Sequence, residues 1–344
     1  MKRTAAWFIG PVLAGMFFVS LGGALAQAET RTAIGTIISV EEGGKAITFR
    51  TELGEVVTSK PGRRSTRVFR GDKEIEFREL KAGDVIWITY RPGKENEPSE
   101  IKTEPNIPKE IESLKDRLAR AIRILNMEGL VAFSGHISVR IPGSQTFFIH
   151  PSSMSRAEVT PGDLCEVTID GKQISGKDSV PDETDIHAAV YRARKDANCV
   201  LHIHPHYIII PSLVGKDLIP VSGHGCIFGA VTPVYPNPSK ISSRAKADEM
   251  AKILGKGRAV VLKGHGAVIT EGTVEAVVTA AVYMEENAQL LQDARASGTP
   301  IPFTAEEIRE AADETYQPSS ITKTWEYYIE KGNKAGIFWD SAEK

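Results

Sequence analysis

The sequence predicts two architectures in one chain: a small all-β domain, then a larger α/β layered domain. Three observations carry this. Short β-branched and apolar runs recur between 31 and 104, separated by Gly and Pro. From 107 to 304, helical and strand patterns alternate. All eight histidines lie between His136 and His265, inside the second region. The 344 residues suffice for two cores, and a net charge of −2 gives no reason to expect nucleic acid as a partner.

Residues 1–28 read as a secretory signal peptide. Lys2 and Arg3 precede a charge-free apolar run, which closes on small-residue patterns ending at Ala26 and Ala28. Cleavage near either alanine gives a periplasmic or secreted protein with no further membrane contact. An uncleaved N-terminal anchor is the alternative, since the uncharged stretch approaches bilayer-spanning length. Cys165, Cys199 and Cys226 are odd in number and form no disulfide framework, so their redox state stays open.

Within 31–104, "TAIGTIISV", "KAITFRT", "EVVTS", "TRVFRG" and "DVIWITYRP" follow at short intervals. This spacing predicts a small β-barrel or sandwich. Residues 34–40 and 80–90 resemble the opening and closing segments of small periplasmic β-domains, which implies a fold and no chemistry. A Pro- and charge-rich stretch, 91–110, holds the linker in its second half.

In the second domain, Ile111, Leu114, Leu118, Ile122 and Leu125 have helical spacing, with Gly129 as the stop. "TFFIHP", "LCEVTID", "NCVLHIH" and "RAVVLKGHG" read as strands. "DETDIHAAVYRARKD", "KADEMAKILGKG" and "TVEAVVTAAVYMEENAQLLQDARASG" read as helices. Residues 305–344 form a tail with two short helices that should pack back on the domain. Trp325, Tyr327 and Tyr328 there are read as core, with a neighbouring subunit as the alternative.

His202 and His204 stand two apart on a strand, so they share one face, roughly 6.6 Å apart along it. Two such imidazoles can converge on one metal ion. His265 follows another strand and is flanked by Gly264 and Gly266. Together the three read as metal ligands. His136, His150, His187 and His206, taken singly, read as hydrogen-bonded core residues, His187 also as a support to the ligands. Glu183 opens the helix before the His202 strand. Locally it reads as a carboxylate at a helix N-terminus.

The order "GHISVR" (135–140), "IHPSSM" (149–154), "DETDIHAAVYRARKDANCVLHIHPH" (182–206) and "VVLKGHGAV" (260–268) resembles the class II aldolase/adducin family. The resemblance covers about 200 residues in four motifs. It implies a three-layer α/β/α sandwich, a homotetramer with sites at subunit contacts, and a divalent metal, zinc above all, with manganese or cobalt as alternatives. It implies His202, His204 and His265 as the ligands and Glu183 as the acid/base. The shared chemistry is stabilisation of an enediolate, with the metal as Lewis acid.

Sugar-phosphate members show Gly-Asn where this chain has Gly135-His136, and Ser-Ser where it has Pro181-Asp182. Asp182 would repel a phosphate, and Ser152 and Ser153 alone are insufficient to hold one. The substrate is therefore expected to be a small, non-phosphorylated hydroxy-carbonyl or hydroxy-carboxylate. The wording around Glu183 and His265 is more similar to decarboxylase-type members acting on aromatic hydroxy-acids. In that reading His136 or His224 helps bind a substrate carboxylate; otherwise His136 caps a turn and His224 lines a subunit contact. The expected activity is a carbon–carbon lyase, aldolase or decarboxylase. A non-catalytic adducin-like scaffold and an epimerase or dehydratase remain the alternatives.

Overall fold

The computed structural model describes residues 31–339, except 42, 52–55, 63–65, 72, 91–96, 104–106 and 143. The expected signal peptide and the chain end lie outside the described residues, as does part of the expected linker. Among the described residues, no helix is long and apolar enough to cross a membrane.

The N-terminal region is one seven-stranded sheet. Its strands are β1 (Arg31–Val40), β2 (Ile47–Thr51), β3 (Val56–Ser59), β4 (Arg67–Arg70), β5 (Lys73–Ile75), β6 (Val85–Tyr90) and β7 (Pro98–Thr103), in the order β3-β2-β1-β6-β7-β4-β5. Alternation sends Ile86, Ile88 and Tyr90 of β6 inward with Ile37, Ile47, Phe49, Val68 and Ile101. The sheet is rolled around this core. Ser59 on β3 and Tyr90 on β6 lie three strands apart, about 14 Å in a flat sheet, yet their hydroxyls meet at 2.6 Å. Closure into the expected barrel is not seen: among the described residues no ladder joins β3 to β5. β5 is three residues long and exposes Lys73 and Glu74. A short, charged edge strand resists further pairing.

The second region begins with α1 (Ile107–Met127), which buries Leu114, Leu118, Ile122 and Leu125 at the expected spacing. Gly129, at φ 71°, lets the chain turn after it. An eight-stranded sheet follows: β8 (His136–Arg140), β9 (Thr146–Ile149), β10 (Cys165–Thr168), β11 (Gln173–Ser175), β12 (Cys199–Ile203), β13 (Val234–Tyr235), β14 (Ala259–Leu262) and β15 (Gly266–Glu271). Their order is β11-β10-β9-β8-β12-β15-β14-β13, antiparallel except between β13 and β14.

The helices are α2 (Thr184–Ala193), α3 (His206–Leu213), α4 (Gly223–Cys226), α5 (Arg244–Leu254), α6 (Val274–Ser297), α7 (Ala305–Thr315) and α8 (Pro318–Ala335). Both faces of the sheet are covered. Leu201, Val261 and Ile269 pack into one core with residues of α1 and α6. Their neighbours Val200, Val260 and Val268 pack into another with residues of α2 and α5. Strand residues of period two thus divide between two helical layers, the α/β/α arrangement expected.

The tail packs back as expected: Tyr328 is buried and Trp325 half-buried against the first core, while Tyr327 is exposed. The second tail helix is longer than expected, at 18 residues.

The stretch after His204 departs from its β-branched composition. His206–Leu213 is a helix, not a continuation of the strand. Pro205 stands at its N-cap, and both oxygens of Glu285 on α6 accept from the Tyr207 and Ile208 N–H groups. This tertiary cap satisfies the helix start and overrides local propensity.

Replacing Tyr90 by Phe leaves the fully buried Ser59 hydroxyl without its partner. Urea unfolding should show the rolled sheet destabilised by about 1–3 kcal/mol.

Candidate metal centre

β12 is hydrogen-bonded to β8 on one side and β15 on the other, so His202 is enclosed by its own sheet. Its Nδ1–H donates to the Ala267 carbonyl at 3.0 Å. That bond fixes the tautomer and leaves Nε2 as a bare, buried acceptor with no hydrogen-bond partner among the described residues. His204 follows the end of β12, and its Nδ1 lies 3.2 Å from Ser134 Oγ. His265 sits in the turn from β14 to β15, made possible by Gly264 at φ 62°. Gly266 is needed next to it: a Cβ there would lie 2.2 Å from the Ile203 carbonyl oxygen.

Glu183 comes from the other helical layer, at the N-cap of α2. Its Oε1 accepts from the Ile241 N–H at 2.8 Å. Its Oε2 lies 3.6 Å from Nε2 of both His202 and His265. One donor atom each from Glu183, His202, His204 and His265 falls within 4.8 Å of the others. The imidazole centroids are 4.5–5.1 Å apart. Ligands at 2.0–2.2 Å around a tetrahedral ion stand about 3.4 Å apart, so a divalent cation fits with little movement.

The electrostatics suit a cation as well. Burial, reinforced by His202 and His265, pushes His204 down to about 3, so it is neutral and ready to ligate. Burial opposes ionisation of Glu183, but the neighbouring His202 and His265 rings and the hydrogen bond from the Ile241 N–H outweigh it and hold its carboxyl well below the usual range. Three imidazoles with a carboxylate beside them form a donor set suited to a divalent ion.

Residues 116–291, just over half of the chain, match the family described as Class II Aldolase and Adducin N-terminal domain. The chain belongs to the class II aldolase/adducin family. A 3,4-dihydroxyphthalate decarboxylase of Terrabacter sp. (strain DBF63) is 32% identical over 210 residues, covering 57% of this chain and 87% of that protein. Beta-adducin of Homo sapiens is 28% identical over 177 residues, 49% of this chain and 24% of that protein. The solved L-fuculose 1-phosphate aldolase from Glaciozyma antarctica PI12 superposes with a TM-score of 0.59 at 23% identity, covering 67% of this chain and 93% of that one, and shares the fold.

Around the four donors, this class II aldolase/adducin domain places the other expected residues unevenly. His136 faces His202 across the β8–β12 ladder, with ring centroids 5.0 Å apart. Behind it runs a buried chain: His136 Nδ1 to His187 Nε2 at 2.7 Å, His187 Nδ1 to Ser138 Oγ at 2.6 Å, and Ser138 Oγ to the Tyr191 hydroxyl at 2.7 Å. Burial foremost, then neighbouring imidazoles, keep His136 and His187 well below the ordinary histidine range. His187 thus supports His136 and is not among the four donors.

Ser152 and Ser153 are exposed and line a cavity of about 550 Å³ with Phe133, Ser155 and Arg156. Ser152 donates its hydroxyl to the Ser179 carbonyl. His224 belongs elsewhere. It stacks on Tyr283 at 3.7 Å, pairs with Glu286 at 2.8 Å, and shares its cavity with Tyr327 and Tyr328 but with none of the four donors.

Arg156 is the residue that sequence reasoning passed over. In "SSMSRAEV" it looks like one more polar surface residue, yet it is 5% exposed. Only the fold shows this.

Equilibrium dialysis should give about one divalent ion per chain, and His202→Ala should abolish it while the circular dichroism stays unchanged. Stability should also depend on pH through His150. Burial, helped by Arg156, pushes this ring from 6.5 down to about 3. Below 6.5 the unfolded chain takes up a proton that the folded chain refuses. Stability is therefore full above pH 6.5 and falls progressively toward pH 3. His150→Asn should reduce that slope in urea titrations across this window, the rest coming from the likewise depressed His136, His187 and His204.

Proposed function

We propose that the chain is a divalent-metal-dependent carbon–carbon lyase of decarboxylase type, acting on a non-phosphorylated hydroxy-carboxylate. The observation that carries this is the convergence of His202, His204, His265 and Glu183 on one point, with the His202 Nε2 buried and unpartnered. A purely structural domain has no use for a buried acceptor without a partner, which disfavours an adducin-like scaffold. The similarity to 3,4-dihydroxyphthalate decarboxylases favours decarboxylation over aldol cleavage.

His202, His204 and His265 would hold the ion. When bound, a divalent cation supplies Lewis-acid stabilisation for negative charge developing on a substrate oxygen. The protein supplies the rest. The Ile241 N–H holds Glu183 Oε1, which leaves Oε2 free for proton transfer beside the imidazoles. Oε2 takes the proton of the substrate hydroxyl, the carbon–carboxylate bond breaks with release of carbon dioxide, and the proton returns to the carbon. The enclosing β8, β12 and β15 restrict water on the sheet side of the site. An epimerase or dehydratase would use the same groups and differs only in which bond breaks.

The same reading has residues 1–28 direct export, giving a periplasmic or secreted protein after cleavage near Ala26 or Ala28, and has the mature chain assemble as a homotetramer. The role of 31–104 is a stabilising or spacing module.

Glu183→Gln keeps the shape and removes the base. Turnover of dihydroxyphthalate-type acids should fall about 10²–10⁴-fold. Full turnover in that variant would refute the proton-transfer role.

A further inference from the structure

Arg156 is a buried cation with no anion. Its Nε donates to the Gly135 carbonyl at 3.1 Å, and its Nη1 to the Ser152 and Met154 carbonyls at 3.0 and 2.7 Å. Among the described residues, Nη2 has no partner and the guanidinium has no carboxylate. Burial alone shifts Arg156, downward, and no acid offsets it. The nearby His150 is held neutral and adds no negative charge. Most of the side chain is buried, and Nη2 is left as an open charged donor with no acid beside it among the described residues.

Arg156 lines the 550 Å³ cavity with Ser153 and Ser155. The Ser153 hydroxyl has no partner among the described residues. Ser155 Oγ only accepts, from the Ala157 N–H, so its proton is free to donate. Phe133, 88% exposed, offers an aromatic face in the same cavity. None of the four donors lines this cavity, but one short strip of chain joins the two sites. Gly135 holds the guanidinium, Ser134 touches His204, and His136 packs against His202.

We propose that Arg156, with the hydroxyls of Ser153 and Ser155, forms a carboxylate subsite that holds the retained carboxylate of an aromatic hydroxy-acid while its hydroxyl lies at the metal centre. This rests on the lyase reading above and adds to it the residues that hold the second carboxylate of such an acid, the one not released. A carboxylate accepts from Nη2 and both hydroxyls in charge-assisted bonds, and Phe133 covers the ring.

The test uses two probes on the metal-loaded full-length protein, benzoate for the subsite and catechol for the metal centre, by isothermal titration calorimetry. Arg156→Met should weaken benzoate about tenfold or more and leave catechol unchanged. Ser153→Glu, at an exposed position that does not disturb the fold, should do the same by repulsion. Raising the salt should weaken benzoate further. Failure of wild type to bind benzoate, or equal benzoate affinity in wild type and Ser153→Glu, would overturn the subsite. So would inorganic phosphate binding more tightly than benzoate. Intact benzoate binding with no catechol binding would instead strike the lyase reading beneath it and leave the subsite standing.

Discussion

One hydrogen bond, from His202 Nδ1–H to the Ala267 carbonyl, sets the chemistry of this site. It decides which ring nitrogen is protonated, and so which one is left as a ligand. The bond exists because β15 runs antiparallel beside β12. That approach needs Gly266, where a side chain would strike the Ile203 carbonyl. The same turn carries His265, so one local feature of the chain orients one imidazole of the cluster and delivers another.

The site is otherwise a balance between burial and polarity. Imidazoles, a carboxylate and a guanidinium are gathered where water is scarce. The His136–His187–Ser138–Tyr191 chain satisfies its members in series and costs little. The unsatisfied atoms are more telling. Among the described residues, His202 Nε2, His265 Nδ1 and His150 Nε2 are buried without partners. His202 and His265 are in the four-donor cluster, and His150 lies near Arg156. Of these, His202 Nε2 stands within the four-donor cluster, where a ligand would pair it.

The two helical layers divide the labour. The ladder of β8, β12 and β15 positions His136, His202 and His204, while Glu183 arrives from the layer of α2 and is held by the Ile241 backbone. A carboxylate and its imidazoles thus approach from separate elements. Neither can drift without disturbing a packed core, because Val200 and Val268 interdigitate with α2 and α5 residues on that face.

Much of this was legible in the residues. Period-two and period-3.6 patterns marked the elements, because each strand and helix buries one face and the spacing records it. His202 and His204 two apart, and His265 between glycines, marked three members of the four-donor cluster, since strand geometry places alternate side chains together. The sequence by itself determined this inventory. Only the tertiary structure decided the rest. His206–Leu213 became a helix because Glu285, some 80 residues away in the chain, caps it. The N-terminal strands rolled without closing because β5 is short and charged. His224 fell outside the site, and Arg156 fell beside it, because burial depends on what the fold places against a residue, and no local pattern encodes that.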